Sequence, residues 1–362
     1  MEQNYTIILS EETLERISNY ASLLKDGGKC GSNLSRVLSL KSRNDLNKVN
    51  LLHALLNTKY PQIFAESSVI GDGSDWTLTE LSLLGDVSIG MTVNIYDNGA
   101  HQNPIIHDSP FVGHLVYTPG ALLRNDHDYT PADWQEITTN GEYDREKYYS
   151  LYERRLLPAF QYISAKANHR GFPAFITIPG IGCGQFAGPF RGQMGHILQA
   201  ALTRLFETHG NTLSGVKAVY YDPYNECIDD TRLINDICFM IRPLFPNNEG
   251  KSQLCTPEAL TENSEGDFSD CELYSFVAWD HVSWPGNDYY LGDRVTDDGV
   301  KAAATNTMQV MTGVKGSYSK KQRRYLPPPM FKNWSEVLYQ NNVSLKVTDN
   351  LFVFDVLKAG LK

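Results

Sequence analysis

Long apolar runs are missing from this chain, and no stretch approaches the roughly eighteen residues that a membrane helix needs. The opening M-E-Q-N-Y-T has no basic cluster, so neither a membrane span nor a signal peptide is expected, and the chain reads as cytoplasmic. Basic residues are in deficit, 32 Lys and Arg against 42 Asp and Glu, for a net charge of −10. Binding to a phosphate backbone needs concentrated cations, which removes nucleic acid from the expected partners. Cysteine is sparse. Cys30, Cys183, Cys227, Cys238, Cys255 and Cys271 show neither paired metal-ligand spacing nor a small disulfide framework, which implies free thiols in a reducing compartment. His101, His107, Asp108 and His114 lie close together, yet they follow no metal-ligand spacing and read as loop and core residues.

What remains is an ordinary globular composition, 41% hydrophobic and 20% charged over 362 residues, enough for a sizeable core. Ser10 can cap a run carrying Leu14, Ile17, Ala21 and Leu24, and Val49, Leu52, His53 and Leu56 form a second stripe. Residues 1–85 are therefore expected to form a helical N-terminal extension on a main domain of residues 86–362. Alternation over residues 86–96 predicts a half-buried strand, and apolar runs at 114–118, 174–178, 216–221 and 273–278 predict buried ones. Helical spacing separates them, through Tyr152 to Ile163, through Met194 to Leu205, and more weakly through Leu233, Ile237 and Ile241. Strands alternating with helices imply βαβ units and a largely parallel sheet covered on both faces, an α/β fold in three layers. Residues 351–356 suit a last strand. Residues 247–270, rich in Ser, Thr, Asn, Glu and Gly, read as a long surface loop whose length fits a flap or disorder.

Two stretches carry chemistry. Residues 178–191, I-P-G-I-G-C-G-Q-F-A-G-P-F-R, join a predicted strand to the best-patterned helix. Gly180, Gly182, Gly184 and Gly188 would let the backbone turn tightly and present consecutive N–H groups, with the helix behind adding a field that favours anions. The loop is not a Walker motif, since no Gly-Lys-Ser/Thr follows, nor G-x-G-x-x-G; a phosphate is the natural guest, and a tight turn without ligand is the plain alternative. Residues 279–299, W-D-H-V-S-W-P-G-N-D-Y-Y-L-G-D-R-V-T-D-D-G, place five aspartates between a predicted strand and a helix through Val300, Ala303, Ala304, Thr307, Met308 and Met311. The crevice at the carboxyl ends of such strands is where α/β sheets bind ligands. Trp279, Trp284 and Tyr289 would either line a pocket or pack in the core. The Lys320, Lys321, Arg323, Arg324 patch reads as a solvated face.

Together these stretches carry a resemblance. Strand-G-I-G-C-G-Q-F-A-G-helix is similar to the diphosphate-binding loop of macrodomains, the α/β/α modules that hold ADP-ribose, in a form close to that of poly(ADP-ribose) glycohydrolases. The A-W-D-H-V-S-W-P-G-N-D-Y-Y and T-D-D-G-V-K-A-A-A-T-N segments resemble the arginine-specific ADP-ribosylhydrolase macrodomains of the MavL type, a Legionella effector family. The resemblance spans roughly residues 86–313. It implies a macrodomain-like mixed sheet and three active aspartates, which match Asp280, Asp288 and Asp298. It also implies an ADP-ribose site at Gly180, Ile181, Gly182, Cys183, Gly184, Gln185, Phe186, Ala187 and Gly188, with Asn287 beside the aspartates and Pro119 and Gly120 at a neighbouring strand end. ADP-ribosylated ubiquitin would be the substrate and the host cytosol the place of action. The glutamate pair of true poly(ADP-ribose) glycohydrolases is absent beside the glycine loop, which counts against chain trimming.

The residue types agree with hydrolysis of the N-glycosidic bond to arginine. An ADP-ribosylated arginine is a planar cation with several N–H donors, for which carboxylates are the matching acceptors. Cleavage passes through an oxocarbenium-like centre that a carboxylate stabilises while another positions water. On this reading Asp280 and Asp288 hold the guanidinium and distal ribose, and Asp298 addresses water or ribose hydroxyls. The helix start favours the ionised form of Asp297 and Asp298, although one of the two would serve as no more than a helix cap. No cofactor or metal is expected, while three carboxylates remain a set that Mg²⁺ or Ca²⁺ would accept. A non-catalytic ADP-ribose reader would share the glycine loop without needing the carboxylates, and a hydrolase of free ADP-ribose derivatives is the third alternative.

Overall fold

A computed structural model describes residues 4–39, 46–70, 72–261, 266–346 and 350–354. Nine strands form one mixed sheet: β1 (Tyr5–Ser10), β2 (Ser88–Asp97), β3 (Ile106–Pro119), β4 (Ala174–Pro179), β5 (Val216–Asp222), β6 (Asp230–Ile234), β7 (Ile237–Ile241), β8 (Glu272–Trp279) and β9 (Leu351–Phe354), in the order β9-β1-β2-β3-β8-β4-β5-β7-β6. The central run β3, β8, β4, β5, β7 is parallel, while β2 and β6 run antiparallel to their neighbours. Every residue of β4 is buried, as expected of a strand covered on both faces.

Helices cover the two faces. On one lie α4 (Arg145–Arg170) and α5 (Met194–His209), over Val116, Ile176, Ile178, Val219, Tyr274 and Phe276. On the other lie α1 (Glu11–Lys25), α2 (Lys48–Leu56), α3 (Leu78–Gly85), α6 (Asp297–Ala304), α7 (Thr307–Thr312) and α8 (Trp334–Asn341), over Ile7, Leu9, Ile89, Met91, Leu115, Tyr117 and Val277. This is the three-layer α/β/α arrangement the strand and helix pattern implies.

Three local expectations need correction. The first sixty residues are not all helical: Tyr5–Ser10 is a strand between β9 and β2, and Ser10 ends it by capping α1, its side chain accepting from the Thr13 N–H. The weak helix through Leu233, Ile237 and Ile241 is the β6–β7 hairpin. Asn235 and Asp236 both take positive φ, the turn that two-residue hairpins favour, and this local chemistry overrides a chance helical spacing. The helix from Val300 to Met311 breaks in two at Thr305 and Asn306, where Thr305 bridges to Ile95 and the Asn306 side chain accepts from the Asn94 N–H. Of residues 351–356, the first four form β9 and the rest lie outside the described residues.

The loop at 247–270 is also different from a flap over its described part. Leu254, Cys255, Leu260 and Phe268 are buried, and Gln253 bonds Lys301, Asp222 and Thr177. The backbone of Leu254 is held by Asn98 and His107 from the β2–β3 hairpin. This segment buries apolar side chains together with some of its polar ones, Asn248 and Ser252, so a polar composition does not make it a surface loop throughout. Residues 262–265 lie outside the described residues. Leu254→Ala should therefore cost about 2–5 kcal/mol in denaturant unfolding, as for a core leucine; a loss under about 0.5 kcal/mol, the range of surface substitutions, would return the segment to the surface.

Candidate functional site

Three parallel strands end side by side at one edge of the sheet, β8 at Trp279, β3 at Pro119 and β4 at Pro179, and after each the chain turns into a functional segment. The turn after β3 ties the other two together. Gly120 donates its N–H to the Trp279 carbonyl at 3.1 Å, and a Cβ at Gly120 would lie 2.5 Å from the Gly182 nitrogen. Only glycine allows this approach. The Tyr152 hydroxyl, reaching up from α4, accepts from Ala121 N–H and donates to the Ile181 carbonyl, which locks the Pro119-Gly120 turn to the glycine loop.

The glycine loop is built to present amides. Gly182 and Gly188 take φ of +76° and +54°, and a Cβ at Gly188 would meet the Leu123 carbonyl. The N–H groups of Ile181, Cys183 and Ala187 close local turns, whereas those of Gly182, Gly184, Gln185 and Phe186 find no acceptor among the described residues. Gly184 and Gln185 are exposed, and no atom stands within 4 Å of where a Gly184 Cβ would be. Ile181, Cys183 and Ala187 point into the core instead, and burial pushes the Cys183 thiol well above its ordinary range. Successive unpaired N–H groups in a concave turn form an anion-binding nest. The helix behind contributes less than its position in sequence implies. A 3₁₀ turn, Gln185–Phe190, separates loop from α5, and the first turn of α5 is already occupied, with Gly195 N–H donating to Glu226 at 2.7 Å.

Asp280 and Asp288 lie on the loop from β8 to α6 and Asp298 in the first turn of α6, all three buried. Asp280 accepts from the N–H groups of Val282 and Ser283, the Ser283 hydroxyl and the Asn287 amide. Asp288 accepts from the N–H groups of Val295 and Thr296 and the Thr296 hydroxyl, closing the loop on itself. Its carboxylate fills the space beside Gly299, where a Cβ would come within 1.9 Å of it. Asp298 accepts from the Gly286 N–H through Oδ1, but its Oδ2 is buried with no partner. Of the three, Asp298 alone keeps an unused oxygen.

Neither Asp297 nor Asp298 caps α6; Thr296 does, accepting from Gly299 N–H, and Asp297 instead pins Ala278 N–H and Lys301. The expectation that the helix start keeps Asp298 ionised is likewise corrected. Burial, joined by the charges of Asp280, Asp288 and Asp297, raises Asp298 well above the usual carboxylate range against the pull of the Gly286 amide. Burial raises Asp288 too, offset in part by its Thr296 and Val295 donors. Desolvation outweighs a helix-end field because it acts on the whole charge. Trp279, Trp284 and Tyr289 are core: the two indoles donate to Ser283 and to the Lys59 carbonyl, and Tyr289 donates to the Tyr325 carbonyl. Nor is the basic patch wholly solvated, since Arg324 donates to the Gly292 carbonyl and the Arg323 carbonyl accepts from Arg294.

Two groups that sequence reasoning missed complete the site. Residues 58–63 of the N-terminal segment run beside the aspartate loop. Tyr60 N–H donates to Val282, Trp284 N–H donates to Tyr60, and Ile63 N–H donates to Asn287. Lys59, 4% exposed, donates from Nζ to the His281 carbonyl at 2.6 Å and lies 4.0 Å over the Trp279 ring; burial lowers its ammonium to about 7 against the attraction of Asp280 and Asp298. Beneath the loop, buried Arg155 joins Asp133, Asp86 and the Gly120 carbonyl, and His281 meets Asp133 at 3.0 Å. Burial alone would raise the Asp133 carboxyl, but Arg155 and His281 hold it far below the carboxylate range.

A family model described as Macrodomain effector MavL matches residues 5–331 of the chain. No curated protein matches it.

A carboxyl raised by folding takes up a proton that the unfolded chain does not hold between the two pKa values, so its contribution to stability is present at low pH and lost as pH rises. Asp298→Asn, which cannot take up that proton, should melt at higher temperature than the parent protein near pH 7, with the gap closing toward about pH 4. A gap that is constant with pH would show that Asp298 is not shifted.

Proposed function

The chain belongs to the MavL macrodomain effector family, whose function centres on ADP-ribose, and from that premise we propose that it hydrolyses the bond between ADP-ribose and a modified protein arginine. The observation that carries this reading is the unpartnered Oδ2 of Asp298, a buried acceptor amid three carboxylates at the strand edge that also presents the glycine loop. Such an oxygen is costly unless a ligand supplies a donor, and a guanidinium supplies donor and positive charge together, which favours the ionised form of Asp298 that burial disfavours in the free protein.

In this reading the free N–H groups of Gly182, Gly184, Gln185 and Phe186 hold the diphosphate, and Pro119 and Gly120 set the spacing toward β8. Asp298 receives a guanidinium N–H at Oδ2. Asp280 and Asp288, each fixed by donors of its own loop, supply the negative potential that stabilises positive charge developing at C1″ as its bond to nitrogen breaks. Water adds to that carbon, giving free ADP-ribose and unmodified arginine. Fixing the carboxylates before the substrate arrives is what gives them catalytic value, because nothing has to reorganise during the reaction. No helix among the described residues is long and apolar enough to cross a membrane. Ubiquitin as the modified protein has the support of the sequence resemblance alone.

The test is to incubate the protein with an arginine-ADP-ribosylated substrate and follow the nucleotide and the mass of the protein product. Free ADP-ribose and full loss of the modification are expected, with Asp298→Ala lowering kcat by about 100-fold or more. Release of AMP would move the reaction to the diphosphate. An unchanged mass would leave a binding module.

A further inference from the structure

Lys59 is a buried basic side chain that feels two aspartates, Asp280 and Asp298, and pairs with neither. Its Nζ is spent on the His281 carbonyl and the Trp279 ring, and no carboxylate reaches ion-pair distance among the described residues, although it feels the charges of both Asp280 and Asp298. Asp298 for its part keeps Oδ2 empty. A cation and an acceptor are thus buried close together and left unjoined. A lysine with no carboxylate contact gains little for the desolvation it suffers, which makes a role in holding the loop alone an expensive explanation.

We infer that Lys59 is a resident cation whose charge the arginine guanidinium replaces, so that it sets the conditions under which this site accepts a cationic substrate. The inference rests on the arginine reading above. As an ammonium, Lys59 offsets the carboxylates and opposes a second positive charge in the same small volume. When the guanidinium docks at Asp298, Lys59 releases one proton to solvent, and its neutral amine still donates an N–H to the His281 carbonyl. Charge is conserved: one cation enters and one proton leaves. The groups that face this exchange are Asp280 and His281 on the aspartate loop, Asp298 and Asp297 on α6, and Glu66, itself raised by burial and by Asp280. His281 is tied to Asp133 and Arg155 on the other side of the loop.

The sign follows from the ammonium's lowered value near 7. Below it Lys59 is charged and competes with the substrate; above it the amine is neutral and the site is open to a cation. Acceptance of arginine-linked substrate should rise with pH, by about tenfold between pH 6 and pH 8 for one proton.

The experiment measures kcat/KM on an arginine-ADP-ribosylated peptide near pH 6 and pH 8 for the full chain and for Lys59→Arg, which stays charged throughout. The Arg variant should track the parent near pH 6 and fall about tenfold behind near pH 8. A deficit of equal size at both pH values, the mark of a merely structural role, or no deficit at pH 8, overturns the inference. Should the Arg variant fail to fold, calorimetry on the parent protein with a carbocyclic, unhydrolysable ADP-ribosyl-arginine analogue decides in its place. Proton release measured in buffers of different ionisation enthalpy should fall by about one between pH 6 and pH 8, as Lys59 becomes neutral in the free protein, with no such change for ADP-ribose itself; a release that is the same at both pH values, as Asp298 alone would give, overturns it. A parent protein that acts on no arginine-linked substrate at either pH overturns the arginine reading as well, whereas parallel profiles in an active protein overturn the Lys59 inference alone.

Discussion

Three buried carboxylates between the end of β8 and the first turn of α6 impose the constraint that shapes this end of the molecule, because removing each from water costs several kcal/mol unless donors replace the solvent. The loop between Trp279 and Asp297 is the answer to that requirement. Asp280 folds the chain back to collect two amides, a hydroxyl and Asn287, and Asp288 collects a second set seven and eight residues further on. The 3₁₀ turn at Asn287–Leu291 and the left-handed Gly286 and Gly292 on either side of it give the backbone its path. Asp298 is the one position at which the solution is incomplete.

The same constraint explains the N-terminal segment. Loops that carry buried charge need backing, and here it comes from residues more than 200 positions earlier, where Lys59 and Tyr60 pair with residues 281–284 along a short parallel bridge. Residues 58–63 form a wall of the site, consistent with a family match that begins at residue 5. On the far side the Arg155 guanidinium binds groups from four different segments, so the turns after β3 and β8 share one rigid mount.

Much of this was legible in the sequence, for identifiable reasons. The buried strands announced themselves as apolar runs because both faces of the sheet are covered, and the glycine loop because Gly180, Gly182, Gly184 and Gly188 crowd the junction of a strand and a well-patterned helix. The five aspartates were found by density. What was hidden depended on distance or on competition. Lys59 is one lysine just past the end of a helical stripe until the fold brings it against the Trp279 ring. Nothing near Met194 shows that Glu226 will occupy the start of α5. The Asn235-Asp236 turn was readable and was outvoted by three apolar residues at helical spacing. The charge state of Asp298 could not be inferred from its place at a helix start, since burial decides it.

The outermost pair of strands has a consequence for how such a chain is made. β1 pairs on one side with β2 and on the other, among the described residues, with β9 alone, at residues 351–354. Until the ribosome has passed that point, Ile7, Ile8 and Leu9 belong to a strand with one open hydrogen-bonding edge. Closing it brings together segments far apart in sequence, the kind of contact that forms late and slowly. A nascent chain of this protein therefore carries an adhesive border from the synthesis of β2 until that of β9, and its vulnerable period is set by the time taken to translate the stretch between them.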